Sequence, residues 1–332
     1  MEQRILGRTG VKLSVLGFGC GAVGGLMVRG DAADQERAAA RALELGINYF
    51  DTAAAYGNGE SEKNLGRVLK ALRPEVFLST KFTILPEDHG KIGAAVAASL
   101  EASLKRLGRE QVDLLQLHNR VASDGQDRAL DAEIVLGEVV PALEALRSQG
   151  KIRFFGITAL GATADLHRVV DARVLDTAQV CYNLLNPSAG GALPPGLPGQ
   201  DFAGLLERAR NAAMGTIGIR VLAGGALSAS ETRHPLGVQN LGPIASAPDY
   251  RTDVAHAKAL AALVRKGHVR SVIEAALRFA VTNTAMTTVL VGYSTIEQLE
   301  YAASCINKGA LPRAALDDLA RLWDSFAGAK LQ

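Results

Sequence analysis

Cysteine is scarce: three residues in 332, Cys20, Cys181 and Cys305, an odd number with no C-x-x-C pair among them. That count argues against a disulfide framework, and the three are expected as reduced, buried thiols. The six histidines, at 89, 118, 167, 234, 256 and 268, show no H-x-x-x-H and no cysteine at ligand spacing, so no metal site is expected. Charge of one sign is equally lacking. The 36 basic and 34 acidic residues are interspersed and leave a net +2, which gives no field for nucleic acid or anionic lipid. Nor is there any run of about 18 uncharged apolar residues, the length a membrane helix needs. The opening MEQRILGRTG carries charges where a signal peptide requires an apolar stretch. The expectation is a cytoplasmic protein with neither a membrane nor a nucleic acid as partner.

What is present is a hydrophobic content of 48%, enough for one large core, and 1–332 is read as a single domain. Runs rich in Val, Ile, Leu and Phe alternate with longer stretches of helical period. Eight such runs are VLGFG from Val15, INYFDT from Ile47, VFLSTKF from Val76, VDLLQLH from Val112, IRFFGIT from Ile152, TAQVCYN from Thr177, GTIGIRV from Gly215 and TTVLVG from Thr287. The fold class is α/β, a closed parallel (β/α)8 barrel. Asp31 with Asp34, and Ser61 with Glu62, are expected as helix starts, and Gly46, Gly108 and Gly150 as helix ends. RILGRTGVKLS, with Gly7 and Gly10 at a turn, predicts a β-hairpin plugging the bottom of the barrel. Two stretches without period, NPSAGGALPPGLPGQ from Asn186 and AGGALSASETRHPLGVQNLGPIASAP from Ala223, follow strands and are expected as lid or clamp segments.

Inward-pointing residues of such a barrel should be apolar, so polar groups where strands end stand out. Asp51 ends the second run, Tyr56 follows in its loop, Lys81 ends the third and His118 the fourth. A cation beside a phenol favours the phenolate and should lower the tyrosine pKa, while a carboxylate keeps the lysine charged. Tyr56 is then a usable proton donor to a carbonyl oxygen, which His118 can orient. Taken singly, each of these residues is usually a satisfied structural group; the four together are far more specific.

The four sit in patterns that resemble the aldo-keto reductases over nearly the whole chain. GINYFDTAAAYGNGESEKNLG, from Gly46, is similar to that family's G-x-x-x-x-D-T-A-x-x-Y-G followed by S-E-x-x-L-G. SLEASLKRLGREQVDLLQLH, from Ser99, is similar to its S-L-x-R-L segment leading to a D-L-x-x-x-H strand. The resemblance implies a TIM barrel, NAD(P)-dependent hydride transfer to or from an aldehyde, ketone or sugar, and monomers by default. It also implies a catalytic tetrad of Tyr56, Lys81, Asp51 and His118.

Gly19, Gly21 and Gly24 spell G-x-G-x-x-G after a strand. A Rossmann motif opens a helix directly, whereas here LMVRGD intervenes before a helix start at Asp31. These glycines read better as a loop open to close approach by nicotinamide or substrate. The resemblance places the cofactor along the rim on Gly21, Asp51, Thr158, Gln179, Ile219, Arg220, Leu222, Gly224, Gly292, Ser294 and Gln298. Several positions depart from the family's pattern. Ala159 stands for Asn, Ile219 for the stacking aromatic, and Ala302 for an Asn near adenine. Arg220 is a new charge, suited either to the pyrophosphate or to a structural ion pair. Ser294 stands where NADP-preferring members carry Arg or Lys, so NAD is as well suited as NADP. Substrate choice is expected to rest on Met27, Val28, Asn119 and the residues after Asn186. A nicotinamide-nucleotide redox sensor or auxiliary subunit is disfavoured by the complete tetrad, and a metallohydrolase on Asp51 and His118 lacks further ligands.

Overall fold

A computed structural model of the chain describes residues 1–326 except 127, 243 and 245. Eight parallel strands close a barrel in chain order: β3 (Leu16–Gly19), β4 (Tyr49–Asp51), β5 (Phe77–Phe82), β6 (Val112–Leu117), β7 (Ile152–Ala159), β8 (Thr177–Cys181), β9 (Gly215–Ile219) and β10 (Thr288–Gly292), which pairs back to β3. Each lies inside one of the eight apolar runs or overshoots it by a single residue. The sequential order rules out a doubly wound sheet and with it the Rossmann reading of the glycine loop.

Crossover helices run between successive strands, namely Ala32–Glu44, Glu60–Leu72, Ile92–Leu107, Val140–Ser148, Thr163–Asp171, Leu205–Asn211 and Val272–Thr282, with Ile296–Ile306 following β10. Their apolar faces and the outward strand residues form one continuous shell of core. Cys20, Cys181 and Cys305 are buried free thiols. Among the described residues, no helix is long and apolar enough to cross a membrane.

Before the barrel come β1 (Gln3–Ile5) and β2 (Lys12–Ser14), an antiparallel pair. Leu6 and Leu13 from this hairpin join Tyr49, Phe77, Leu114, Ile217 and Leu290 in a separate cluster inside the barrel. The plug is as expected, and Gly7 shows how tightly it seats: a Cβ there would lie 2.3 Å from the backbone nitrogen of Gly215.

Helix ends follow the sequence at Gly46, Gly108 and Gly150, whose φ values of 81°, 63° and 72° are left-handed. Helix starts correct it twice. Ser61 and Glu62 do not cap; they lie inside Glu60–Leu72 with both side chains buried, and Gly59 occupies the cap position. LMVRGD is not plain loop either, since Leu26–Arg29 forms one helical turn after a left-handed Gly25. Four residues are too few to register as a period.

Both aperiodic stretches are folded. The first closes on itself: Asn186 donates to the Gln200 carbonyl (2.9 Å), and Ser188 Oγ accepts from the Phe202 amide (2.9 Å). The second, within which 243 and 245 lie outside the described residues, crosses from the end of β9 past β10 to the loop after β3. There Arg29 Nε donates to the Leu236 carbonyl (2.7 Å) and the Val238 amide to that of Val23 (3.2 Å).

Candidate active site

Inward-facing residues alternate along each strand, so Asp51 lies two positions above Tyr49, and Lys81 two above Ser79. Asp51 Oδ1 accepts from Lys81 Nζ at 2.5 Å. Its Oδ2 accepts from Ser79 Oγ (2.6 Å), Gln179 Nε2 (2.9 Å) and the Tyr49 hydroxyl (3.2 Å). Four donors on one buried carboxylate compensate what it loses in leaving water. Lys81 is equally engaged, donating to Asp51, to the Thr52 carbonyl (2.9 Å) and to the Tyr56 hydroxyl (3.1 Å). The phenol oxygen is an acceptor in that last bond, which leaves its own proton free to point into the mouth.

The loop carrying Tyr56 is anchored from beneath by the Ser61 and Glu62 of the sequence motif. Ser61 Oγ bonds Thr52 Oγ1 (2.8 Å) and donates to the Cys20 carbonyl (2.9 Å). Glu62 accepts from Thr80 Oγ1 (2.5 Å) and from Arg106 Nε (2.6 Å). His118 follows β6 directly, its ring edge-on to that of Tyr56 with centroids 5.7 Å apart.

The electrostatics follow from burial and neighbours. Burial pushes the Tyr56 phenol up and outweighs the opposing pull of Lys81, so its pKa lies above the ordinary value, not below as the lysine alone suggests. Burial works against the Lys81 ammonium, but Asp51 and Tyr56 together hold its pKa up. Burial, then Lys81 and Arg220, drop His118 to about 3. At neutral pH the mouth therefore presents a protonated phenol, a charged lysine and a neutral imidazole.

The expected cofactor positions divide. Gly21, Gly292 and the paired Gly19 form a corner without side chains beside Tyr56; a Cβ at Gly21 would touch the phenol ring at 3.8 Å. Thr158 and Gln179 are adjacent on β7 and β8, but Gln179 already binds Asp51 and accepts from Thr158 Oγ1 at 3.4 Å. Ile219 lies half-buried against the inner cluster. Leu222 packs on the outer core, and Gly224 is covered by Leu241 and Ile244 of the crossing segment. Ser294 Oγ donates to the Gly24 carbonyl (2.6 Å) and its amide to Gln298 Oε1 (2.8 Å), so both residues hold loop backbone. Arg220 has a left-handed φ of 57°, and no carboxylate stands at ion-pair distance from it among the described residues.

Of the residues expected to choose substrate, Met27 is core, and Asn119 is structural, bonding both the amide and the carbonyl of Ile84 at 2.8 Å. Sequence reasoning missed Tyr49, Ser79 and Asn183. The signal was there for Ser79 and Tyr49, each two positions before a tetrad residue on the same strand face.

The chain matches the model of the Aldo/keto reductase family over residues 15–324. It is 31% identical to L-galactose dehydrogenase of Arabidopsis thaliana, across 93% of this chain and 89% of that protein. It is 30% identical to L-glyceraldehyde 3-phosphate reductase of Escherichia coli (92% and 88% covered) and 30% to D-threo-aldose 1-dehydrogenase of a Pseudomonas species (97% and 95%). The holo form of an aldo-keto reductase, AKR11C1 from Bacillus halodurans, superimposes with a TM-score of 0.72 at 24% identity, covering 97% of this chain and 96% of that one. With that match spanning nearly its whole length, the chain belongs to the aldo/keto reductase family and is an oxidoreductase.

Proposed function

We propose that this protein moves a hydride between a nicotinamide cofactor and the carbonyl or alcohol carbon of an aldehyde, ketone or sugar, with Tyr56 as the proton donor and acceptor. The observation that carries this reading is the hydrogen-bonded chain from Asp51 through Lys81 to Tyr56, with a neutral His118 at the phenol's edge. In reduction, Tyr56 gives its proton to the carbonyl oxygen as charge develops there, and the nearby Lys81 stabilises the phenolate left behind. Asp51 keeps Lys81 charged and aimed. His118, with no charge of its own, positions the carbonyl oxygen by a hydrogen bond. The names of the relatives, two sugar dehydrogenases and a triose-phosphate reductase, support a sugar or sugar-like substrate.

The residues present fit a nicotinamide nucleotide. The corner of Gly19, Gly21 and Gly292 lets a flat ring approach the phenol, with Ile219 as an apolar neighbour; Gln179, bonded to Asp51 and Thr158, keeps one amide hydrogen for the carboxamide of the ring. Reduced nicotinamide held there supplies the hydride. The segment crossing from β9 to the β3 loop then acts as a clamp over the dinucleotide. The Ser294 hydroxyl is committed to Gly24, and no basic side chain stands in its place, which favours NAD at least as much as NADP.

The test is titration with NADH and NADPH followed by nicotinamide fluorescence, then turnover of aldehydes and sugars by the protein and by Tyr56→Phe. The variant is expected to bind cofactor normally and to lose about 10²- to 10⁴-fold in the chemical step. Near-normal turnover in the variant would remove Tyr56 from the role. Tight cofactor binding with no turnover by the unaltered protein would point to a redox sensor.

A further inference from the structure

Among the described residues, five buried side-chain polar atoms have no hydrogen-bond partner in the protein, and four of them line the inside of the barrel: both amide atoms of Gln116 and the hydroxyls of Thr177 and Thr288. The fifth, the Tyr293 hydroxyl, lies in the outer core. Strand alternation fixes the inward direction. Gln116 is two positions above Leu114 and Thr288 two below Leu290, both members of the inner cluster. Thr177 is two below Gln179, which reaches Asp51 inside the mouth. A polar group that has left water without finding a partner is costly, and in native interiors such groups are rare.

Gln116 and Thr177 belong together. Both pair in register with Gly156, from β6 on one side and from β8 on the other. A Cβ at Gly156 would lie 2.2 Å from Thr177 Oγ1, so the hydroxyl takes the place of a side chain on the strand between them. On the other flank of Thr177, Leu6 of the plug takes the place of a side chain at Gly215, where a Cβ would lie 2.4 Å from it. Thr288 is farther round, beside Ile217 of β9. The pair sits where the two halves of the interior meet. Leu114 and Phe154, two positions below Gln116 and Gly156, belong to the apolar cluster, while Lys81 stands alongside Gln116, and Thr158 and Gln179 follow two positions above.

The walls determine the occupant. Gln116 offers two N–H donors and a carbonyl, Thr177 one donor and an acceptor, and neither is charged. The charges nearby are already engaged, Lys81 as donor to Asp51, Thr52 and Tyr56, and Asp51 as acceptor from Lys81, Ser79, Gln179 and Tyr49. An ion would find no counter-charge there, and an apolar molecule would leave amide and hydroxyl unsatisfied. Water both donates and accepts, and is small enough to enter a wholly buried site.

We propose that an ordered water is bound inside the barrel between Gln116 and Thr177, over Gly156 and directly beneath the polar layer that holds the tetrad. The proposal rests on the packing of the barrel and is independent of the hydride-transfer reading.

The protein and the double variant Gln116→Met/Thr177→Val, in which both polar partners are replaced by apolar groups of similar shape, are compared by oxygen-17 magnetic relaxation dispersion, which counts long-lived internal waters. Thermal melting confirms that the variant is folded. The expected result is at least one long-lived water fewer in the variant; an unchanged count overturns the proposal. A high-resolution crystal structure of the unaltered protein decides the matter even if the variant fails to fold. A water within about 3.2 Å of both the Gln116 amide and Thr177 Oγ1 supports the site. A direct hydrogen bond between the two side chains, a Gln116 amide turned to another protein group, or a water bonded to only one of the pair overturns it.

Discussion

His118 is a residue on which three influences add with the same sign. Burial, Lys81 and Arg220 all disfavour the imidazolium, so the folded pKa of about 3 lies well below the ordinary 6.5. The unfolded chain takes up a proton as pH falls through 6.5, and the folded protein does not. The contribution to stability is therefore complete above pH 6.5 and is lost progressively as pH falls toward 3, at no more than about 1.4 kcal/mol per pH unit. Urea unfolding of the protein and of His118→Gln between pH 7 and 4 is expected to show the shallower fall in the variant; parallel curves would mean that His118 is not held neutral. Tyr56 shows why this scale is only half legible in a sequence. The lysine beside the phenol could be read from strand spacing, and its lowering of the pKa inferred, but burial acts the other way and is larger. Spacing identifies neighbours and leaves open how much water reaches them. Ser61 and Glu62 make the same point, since a serine and a glutamate before an apolar run read as a cap. Here they are buried ties beneath the tyrosine loop.

At the scale of elements, the strands were the most legible, because a barrel strand covered on both faces is a nearly continuous apolar run. The segment after Ala223 reads in the sequence as long, aperiodic and a lid or clamp, but its course is not legible there, because backbone contacts leave no pattern in side-chain type. Its attachment depends on Arg29, at the end of the one-turn helix Leu26–Arg29, whose guanidinium donates to the Leu236 and Ala22 carbonyls. Gly25 lets the chains meet: with φ of 87°, a Cβ there would lie only 1.7 Å from the Leu236 oxygen. If the segment clamps the cofactor, loosening this attachment should speed opening while the barrel is untouched. Arg29→Ala is expected to raise the cofactor dissociation rate several-fold in stopped-flow displacement, with little change in thermal midpoint because Arg29 is exposed. An unchanged dissociation rate would mean that the segment does not gate release.

Taken whole, the barrel interior is two environments stacked along one axis. The upper layer places Asp51, Lys81, Ser79, Thr158 and Gln179 out of water, held by hydrogen bonds that roughly offset the loss of hydration without a large surplus. The lower layer, Leu6, Leu13, Tyr49, Phe77, Leu114, Ile217 and Leu290, is where burial is favourable without such compensation. Two of these seven come from the hairpin, outside the eight repeats, so the plug both closes the barrel and supplies part of the apolar floor on which the polar layer rests. The glycine turn made the hairpin legible, but that Leu13 enters the barrel while Lys12 stays outside follows only from the pairing register, Ile5 opposite Lys12 and Arg4 opposite Leu13. Leu13→Ala leaves a cavity in this floor, and a buried leucine truncated in a site that cannot collapse costs about 2–5 kcal/mol. The variant is expected to unfold at lower urea with an unchanged m-value, yet to retain its cofactor affinity at 25 °C, because the upper layer is set by its own hydrogen bonds. A fall in cofactor affinity under conditions where the variant is fully folded would show that the floor also positions the tetrad.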